Sequence, residues 1–147
     1  MFNKKAINVV FSLGLVLAGG AGIAHAQVTD TVQATIPFKF QAGLAEFPAG
    51  TYTLRNLNSL VPSEMEIRSA DGKASALFVV QSDEAKEIPQ NSELIFEKVG
   101  DHYSLENIFD GGSAYGDMVV GYKHAKHLEM LGAVAQQVTV PAAQPGL

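Results

Sequence analysis

Four histidines, fifteen scattered carboxylates and no cysteine set the chemistry open to this chain. His124 and His127 stand three apart in "KHAKHLEML". On a helix that spacing makes the two imidazoles neighbours able to share a metal. Two ligands fall short of the four a structural zinc takes, so His102 or Asp117 would have to supply a third. The simpler reading is two polar residues on an exposed helix face. Asp110 and Asp117 bracket "GGSAYG", and two carboxylates around a glycine-rich loop could bind calcium weakly. The loop lacks the Gly-Lys-Ser/Thr ending of a phosphate loop and the alternating oxygen ligands of an EF-hand, which favours a plain hairpin connection. No metal, cofactor or catalytic residue is therefore expected. His124, His127, Asp110 and Asp117 remain the weak metal candidates.

Acid–base and nucleophilic chemistry are no better supported. Glu64 and Glu66 are two apart beside Arg68, on the side of a strand opposite Met65 and Ile67. A general acid–base pair needs one carboxyl in an environment that shifts its pKa, and a solvent-facing strand provides none. There is no G-x-S-x-G elbow, and Ser104 two residues from His102 on one strand is not a base–nucleophile arrangement. An enzyme is not expected. The alternative, a small secreted hydrolase, would have to gather several of Asp101, His102, Asp110, Asp117, His124 and His127 into one cleft.

The elements that would position these residues begin after an export signal. "MFNKKAINVVFSLGLVLAGGAGIAHAQ" carries Lys4 and Lys5, an apolar run over Ala6–Ala18, and Ala24-His25-Ala26 with small residues where a signal peptidase inspects the chain. An N-terminal membrane anchor is the rival reading, but the run is short for a bilayer-spanning helix. Cleavage before Gln27 leaves 121 of the 147 residues, enough for one domain. It also takes the formal charge from −5 to −7, because both lysines leave. Such a surface disfavours nucleic acid and anionic lipid. Without cysteine there is no disulfide framework and no lipid attachment after the cleavage site.

Strand patterns dominate the mature chain. "TVQATIPFKF" alternates from Thr31 to Phe40, with Pro37 suggesting an edge strand or a bulge. "FPAGTYTLR" reads as a turn that starts a strand, Gly50 tolerating positive φ and Tyr52 and Leu54 facing the core. Asp71-Gly72 and Gly100-Asp101 mark two hairpins. Ala74–Val80, apolar on both faces, reads as an interior strand, and "SDEAKEIPQNS" as a connection with room for one helical turn. "DGGSAYGD" reads as a loop and "MVVGY" as a short last strand. Ala125, Leu128, Leu131 and Ala135 recur at helical spacing, and the uncharged "VTVPAAQPGL" looks prone to fray.

The succession "IPFKFQAG", "FPAGTYTLR", "IRSADGKASALF" and "LIFEKVGDHYSLENIF" resembles a family of short exported bacterial proteins of unknown function. The resemblance covers about Ile36 to Lys126. It implies export and carries no catalytic residue across. The expected organisation is a signal peptide (1–26), one antiparallel all-β domain with a C-terminal helix (27–137) and a flexible tail (138–147). The domain should be a sandwich or small closed barrel of six to eight strands. The expected function is an exported, periplasmic or secreted, non-catalytic binding or envelope-associated protein. Its partner would be an envelope protein, a glycan or a small apolar ligand in a barrel mouth, with no stable membrane insertion after signal cleavage. An outer-membrane barrel is a further alternative, although most of these strands are shorter than a bilayer crossing needs.

Overall fold

The structure, a computed structural model, describes residues 31–58, 63–121 and 131–145. They form ten strands: β1 (Thr31–Ile36), β2 (Phe40–Ala42), β3 (Ala45–Phe47), β4 (Gly50–Asn56), β5 (Ser63–Ser69), β6 (Ser75–Glu84), β7 (Glu93–Val99), β8 (His102–Phe109), β9 (Tyr115–Val120) and β10 (Ala135–Ala143). Eight close into a barrel, in the order β1, β4, β5, β6, β9, β8, β7, β10 and back to β1. Every neighbouring pair in that ring is antiparallel. The β2–β3 hairpin lies outside the ring, with β2 running parallel to the first half of β8 through Gln41 and Ser104.

Period-two alternation decides which side chains enter the barrel. Val32, Ala34 and Ile36 of β1, Tyr52 and Leu54 of β4, and Met65 and Ile67 of β5 are buried in one core cluster. Leu94 and Phe96 of β7 and Val140 of β10 join it from across the ring. Fully burying each Val, Leu, Ile, Met or Phe side chain among them contributes about 1.5–3 kcal/mol. A bulge breaks the alternation once. Ile95 pairs with Asn107 and Phe96 with Leu105, which leaves Glu106 as an extra residue in β8. That residue resets the parity, so Leu105 and Ile108, three apart, both reach the core.

The outward faces of β1, β4 and β5 carry Thr31, Gln33, Thr35, Thr53, Arg55, Glu64, Glu66 and Arg68. One end of the barrel is plugged by rings. Phe40 of β2 stacks on Phe47 of β3 at 5.4 Å between centroids and meets Tyr52 and Phe96 edge-on at 5.1 and 5.5 Å. Phe38 adds a stacked contact with Tyr103 at 3.9 Å.

Several expectations hold and several are corrected. The all-β, antiparallel class is observed, as a closed barrel rather than a sandwich. The expected C-terminal helix is not: no helix occurs among the described residues, Leu131 lies 72% exposed in a turn, and Ala135 opens β10. Residues 122–130 fall outside the described residues. The segment expected to fray is instead the strand that closes the ring, pairing with β7 from Ala135 to Pro141 and with β1 at Ala142 and Ala143. Val138, Val140 and Ala142 alternate onto the core, a period that the helical spacing just upstream obscures. Pro141 fits because the Ala142 amide donates towards β7, to Ser92 at 2.8 Å. The neighbouring Pro141 nitrogen therefore faces the β1 side, where pairing starts only at Ala142.

The alternating run Thr31–Phe40 is two strands, not one. The chain leaves the ring at Pro37, and β1 is interior, between β10 and β4, rather than an edge. The outer face of β6 is open, with Leu77 60% and Val79 37% exposed, so that strand is not covered on both sides. No helical turn occurs between β6 and β7. The Asp71-Gly72 hairpin exists, but its loop spans residues 70–74, and Gly72 sits at φ 74° as a left-handed turn residue must. Gly50 needs no positive φ; it begins β4.

Candidate functional site

"PAGTY" resolves as architecture. Tyr52 is buried, stacks edge-on against Phe40 and Phe47, and donates its hydroxyl proton to the Pro48 carbonyl at 2.6 Å. The ring fills the plugged end while its hydroxyl fastens the turn four residues back. Burial pushes the phenol pKa up. A mouth for a small apolar ligand would need this volume, and the rings occupy it.

The larger depressions among the described residues lie on the outside of the barrel. One of them, about 400 Å³, runs along β7, β8 and β10 beneath residues 83–87. The placement of Phe109 in its lining depends on Gly116. A methyl group there would collide with the Ile108 carbonyl and the Phe109 ring, so glycine lets Phe109 lie flat over β9 and become 95% buried while pointing outwards. Across the same gap the Asn107 amide donates to Asp83 Oδ2 at 2.7 Å, linking β8 to β6 over the intervening β9. The floor is Phe109, Ile95, Asn107, Gln137 and Thr139, and Asp83, Glu84, Glu87 and Glu93 stand around it with Lys86. A second hollow of about 270 Å³ shares Ile95, Asn107 and Gln137 and adds Glu97 and Glu106. The combined surface carries side-chain amides, carboxylates and the Thr139 hydroxyl on a rigid sheet.

The barrel end opposite the rings brings the two candidate aspartates together. Asp117 of β9 shares the inward face with Val119, is paired in register with Ile108, and is 6% exposed. Asp110 follows β8 and is 8% exposed. Burial first, and the Asp110 charge second, push the Asp117 carboxyl up to about 6. Its Oδ2 is shut off from solvent and accepts no hydrogen bond among the described residues. The intervening loop is fastened to the β6–β7 connection: Gly112 donates to the Pro89 carbonyl at 2.7 Å, Gly111 to Ser92 Oγ at 3.1 Å, and Ala85 to the Ala114 carbonyl at 2.8 Å.

His124 and His127 lie outside the described residues. His102 and Asp101 line a shallow hollow of about 170 Å³ near the exposed Lys39–Glu46 ion pair. They begin β8, whereas Asp110 lies past its end, so about 25 Å of extended chain separates the two sets. Glu64 and Glu66 sit on the barrel exterior as expected. Glu66 accepts from Arg68 and Arg55, each at 2.9 Å, and chiefly the Arg68 hydrogen bond holds its carboxyl below the usual range. No group of three or more His, Cys, Asp or Glu side chains able to hold a metal occurs among the described residues.

Sequence reasoning missed the outer cleft, since it depends on Asn107 meeting Asp83 across a strand from elsewhere in the chain. Gly116 between Tyr115 and Asp117, inside an otherwise regular strand, was its one visible signal. No protein-family model matches the chain, and comparison with the curated proteins and with the solved structures returns no match.

Proposed function

We propose that this chain is an exported, non-catalytic binding protein that uses the outside of a filled barrel as its ligand surface. The observation that carries the reading is the pairing of a core packed with rings at one end with an outer cleft of about 400 Å³ whose floor is fixed by Phe109, Gly116 and the Asn107–Asp83 hydrogen bond. A packed interior removes the apolar-ligand option and leaves a polar envelope partner, glycan or polypeptide. The amides of Asn107, Gln136 and Gln137 and the Thr139 hydroxyl on a rigid strand surface suit hydrogen bonding to either, and the surrounding carboxylates disfavour anionic ligands.

The apolar interior and the polar outward faces of β1, β4 and β5 argue for a barrel in water, since a membrane barrel carries its apolar band outside. The separation of Asp101 and His102 from Asp110 and Asp117 weighs against a hydrolase built from those residues. The test is an amide-shift titration of the isotope-labelled purified protein with a chitin-type oligosaccharide and, separately, a pentalysine peptide. Shifts centred on Asn107, Gln137 and Thr139 with either probe support the reading. Binding confined to the ring-plugged end, or to neither probe, defeats it. Export has its own measurement: the mass of the protein recovered from its host should place the N-terminus at Gln27.

A further inference from the structure

We infer that the end of the barrel opposite the rings is a binding site for a hard divalent cation, calcium by its chemistry, held between the carboxylates of Asp110 and Asp117. The starting point is Asp117 Oδ2, an oxygen removed from solvent inside the barrel that accepts no hydrogen bond among the described residues. A buried polar atom left unsatisfied is costly, and more so on a carboxylate, so a native structure supplies it with a partner. None of the ion pairs among the described residues reaches Asp117.

Asp110, 92% buried, directly follows Phe109, the register partner of Gly116 next to Asp117, and narrows what the partner of Oδ2 can be. A water molecule would satisfy the lone pairs and leave the Asp117 charge in a poor dielectric. A divalent cation neutralises both carboxylates and occupies Oδ2 directly.

The donor set fixes the kind of cation. The chain has no cysteine, and no third His, Cys, Asp or Glu joins the pair among the described residues. Zinc and copper, which favour sulfur and imidazole, are therefore poorly served. Calcium accepts carboxylates together with main-chain carbonyls and water in an adaptable shell, and two carboxylates correspond to the weak end of its range, a dissociation constant of about 10⁻⁴–10⁻³ M. Binding here would tie the end of β8 to β9 at the point where the connecting loop is fastened to the β6–β7 connection.

The experiment is a calcium chloride titration of the purified protein after chelator treatment and dialysis, followed by amide chemical shifts and by calorimetry. Saturable shifts of Gly111, Gly112 and Asp117, with affinity in that range and at least tenfold weaker for Asp117→Asn, are expected. Zinc chloride should give no comparable saturable change at this loop. The shift map on the unaltered protein reports the site even if a variant folds poorly. Absence of saturable shifts at the loop up to about 10 mM calcium, or an Asp117→Asn variant that binds as tightly, overturns the assignment.

Discussion

At one end of the barrel Phe40, Phe47 and Tyr52 meet ring against ring, and the single polar atom among them, the Tyr52 hydroxyl, has its acceptor in the Pro48 carbonyl. At the other end Asp110 and Asp117 enter the same barrel, and Asp117 Oδ2 has no donor among the described residues. Both ends exclude water, but only the first gains stability from doing so. Desolvation favours the rings and penalises the carboxylates, so the two ends should respond in opposite ways to substitution and to pH.

The largest expected effect breaks the ring end. Tyr52→Ala removes a buried aromatic contact and the hydroxyl that fastens the turn, and should cost about 3–5 kcal/mol in urea denaturation. Thr53→Ala, on the outward side of the same strand, should stay within about 0.5 kcal/mol. Comparable losses from the two variants would mean that the rings are not the barrel's plug.

Next is the support of the outer cleft. Gly116→Ala forces a methyl group against the Ile108 carbonyl and the Phe109 ring. Stability should fall by about 1–3 kcal/mol as the overpacked site strains. Phe109 should also be displaced, visible as shifted ring resonances. An unperturbed Phe109 signal would remove Gly116 from its role in shaping the cleft.

The carboxylate end gives a smaller effect with a definite sign. The folded-state pKa of Asp117, about 6, lies above its ordinary 3.8, so the folded state holds that proton more tightly than the unfolded chain. The resulting stabilisation is complete below about pH 4 and is lost as pH rises through about 6. In chelator-treated protein, the difference in unfolding free energy between wild type and Asp117→Asn should shift by about 1–2 kcal/mol in the variant's favour from pH 4 to pH 8. Taking the difference cancels the carboxylates with lowered pKa values, Glu66 and Asp71, whose trend is opposite. A difference that stays flat with pH would place the Asp117 carboxyl in water.

The smallest effect concerns the β5–β6 turn, which starts beside Tyr52 at the ring end. Gly72 has φ 74°, and a Cβ added there would meet no atom within 4 Å, so substitution costs backbone strain and nothing else. Gly72→Val should lose about 1 kcal/mol and Gly72→Asn less, because asparagine tolerates that conformation. Equal losses in thermal melts would mean the turn adopts another shape.

What was legible in the sequence was local. Alternation gave the inward faces of β1, β4, β5 and β7, and Gly100-Asp101 marked the turn between Val99 and His102. Closure was not legible, because it rests on β10 reaching both β7 and β1. In "VTVPAA" the strand signal is diluted by proline and alanine and preceded by a helical spacing. The site was half legible. Asp110 and Asp117 stood out as carboxylates around a glycine loop, but their burial follows from a register between β8 and β9 that no short-range pattern encodes. The Asn107–Asp83 hydrogen bond across β9 lay beyond sequence reasoning for the same reason.

The position of β10 carries a consequence for how the molecule forms. The strand inserted between β7 and β1 is the last of the ten in chain order, and one of its neighbours is the first. Until it arrives, the facing edges of β1 and β7 present unpaired amides and carbonyls, and the apolar face meant for Val138 and Val140 stays wet. Closing a loop that spans nearly the whole described chain costs entropy before any contact repays it, so the barrel should assemble late and cooperatively. An emerging chain therefore stays open until its last strand is available to pair with the first.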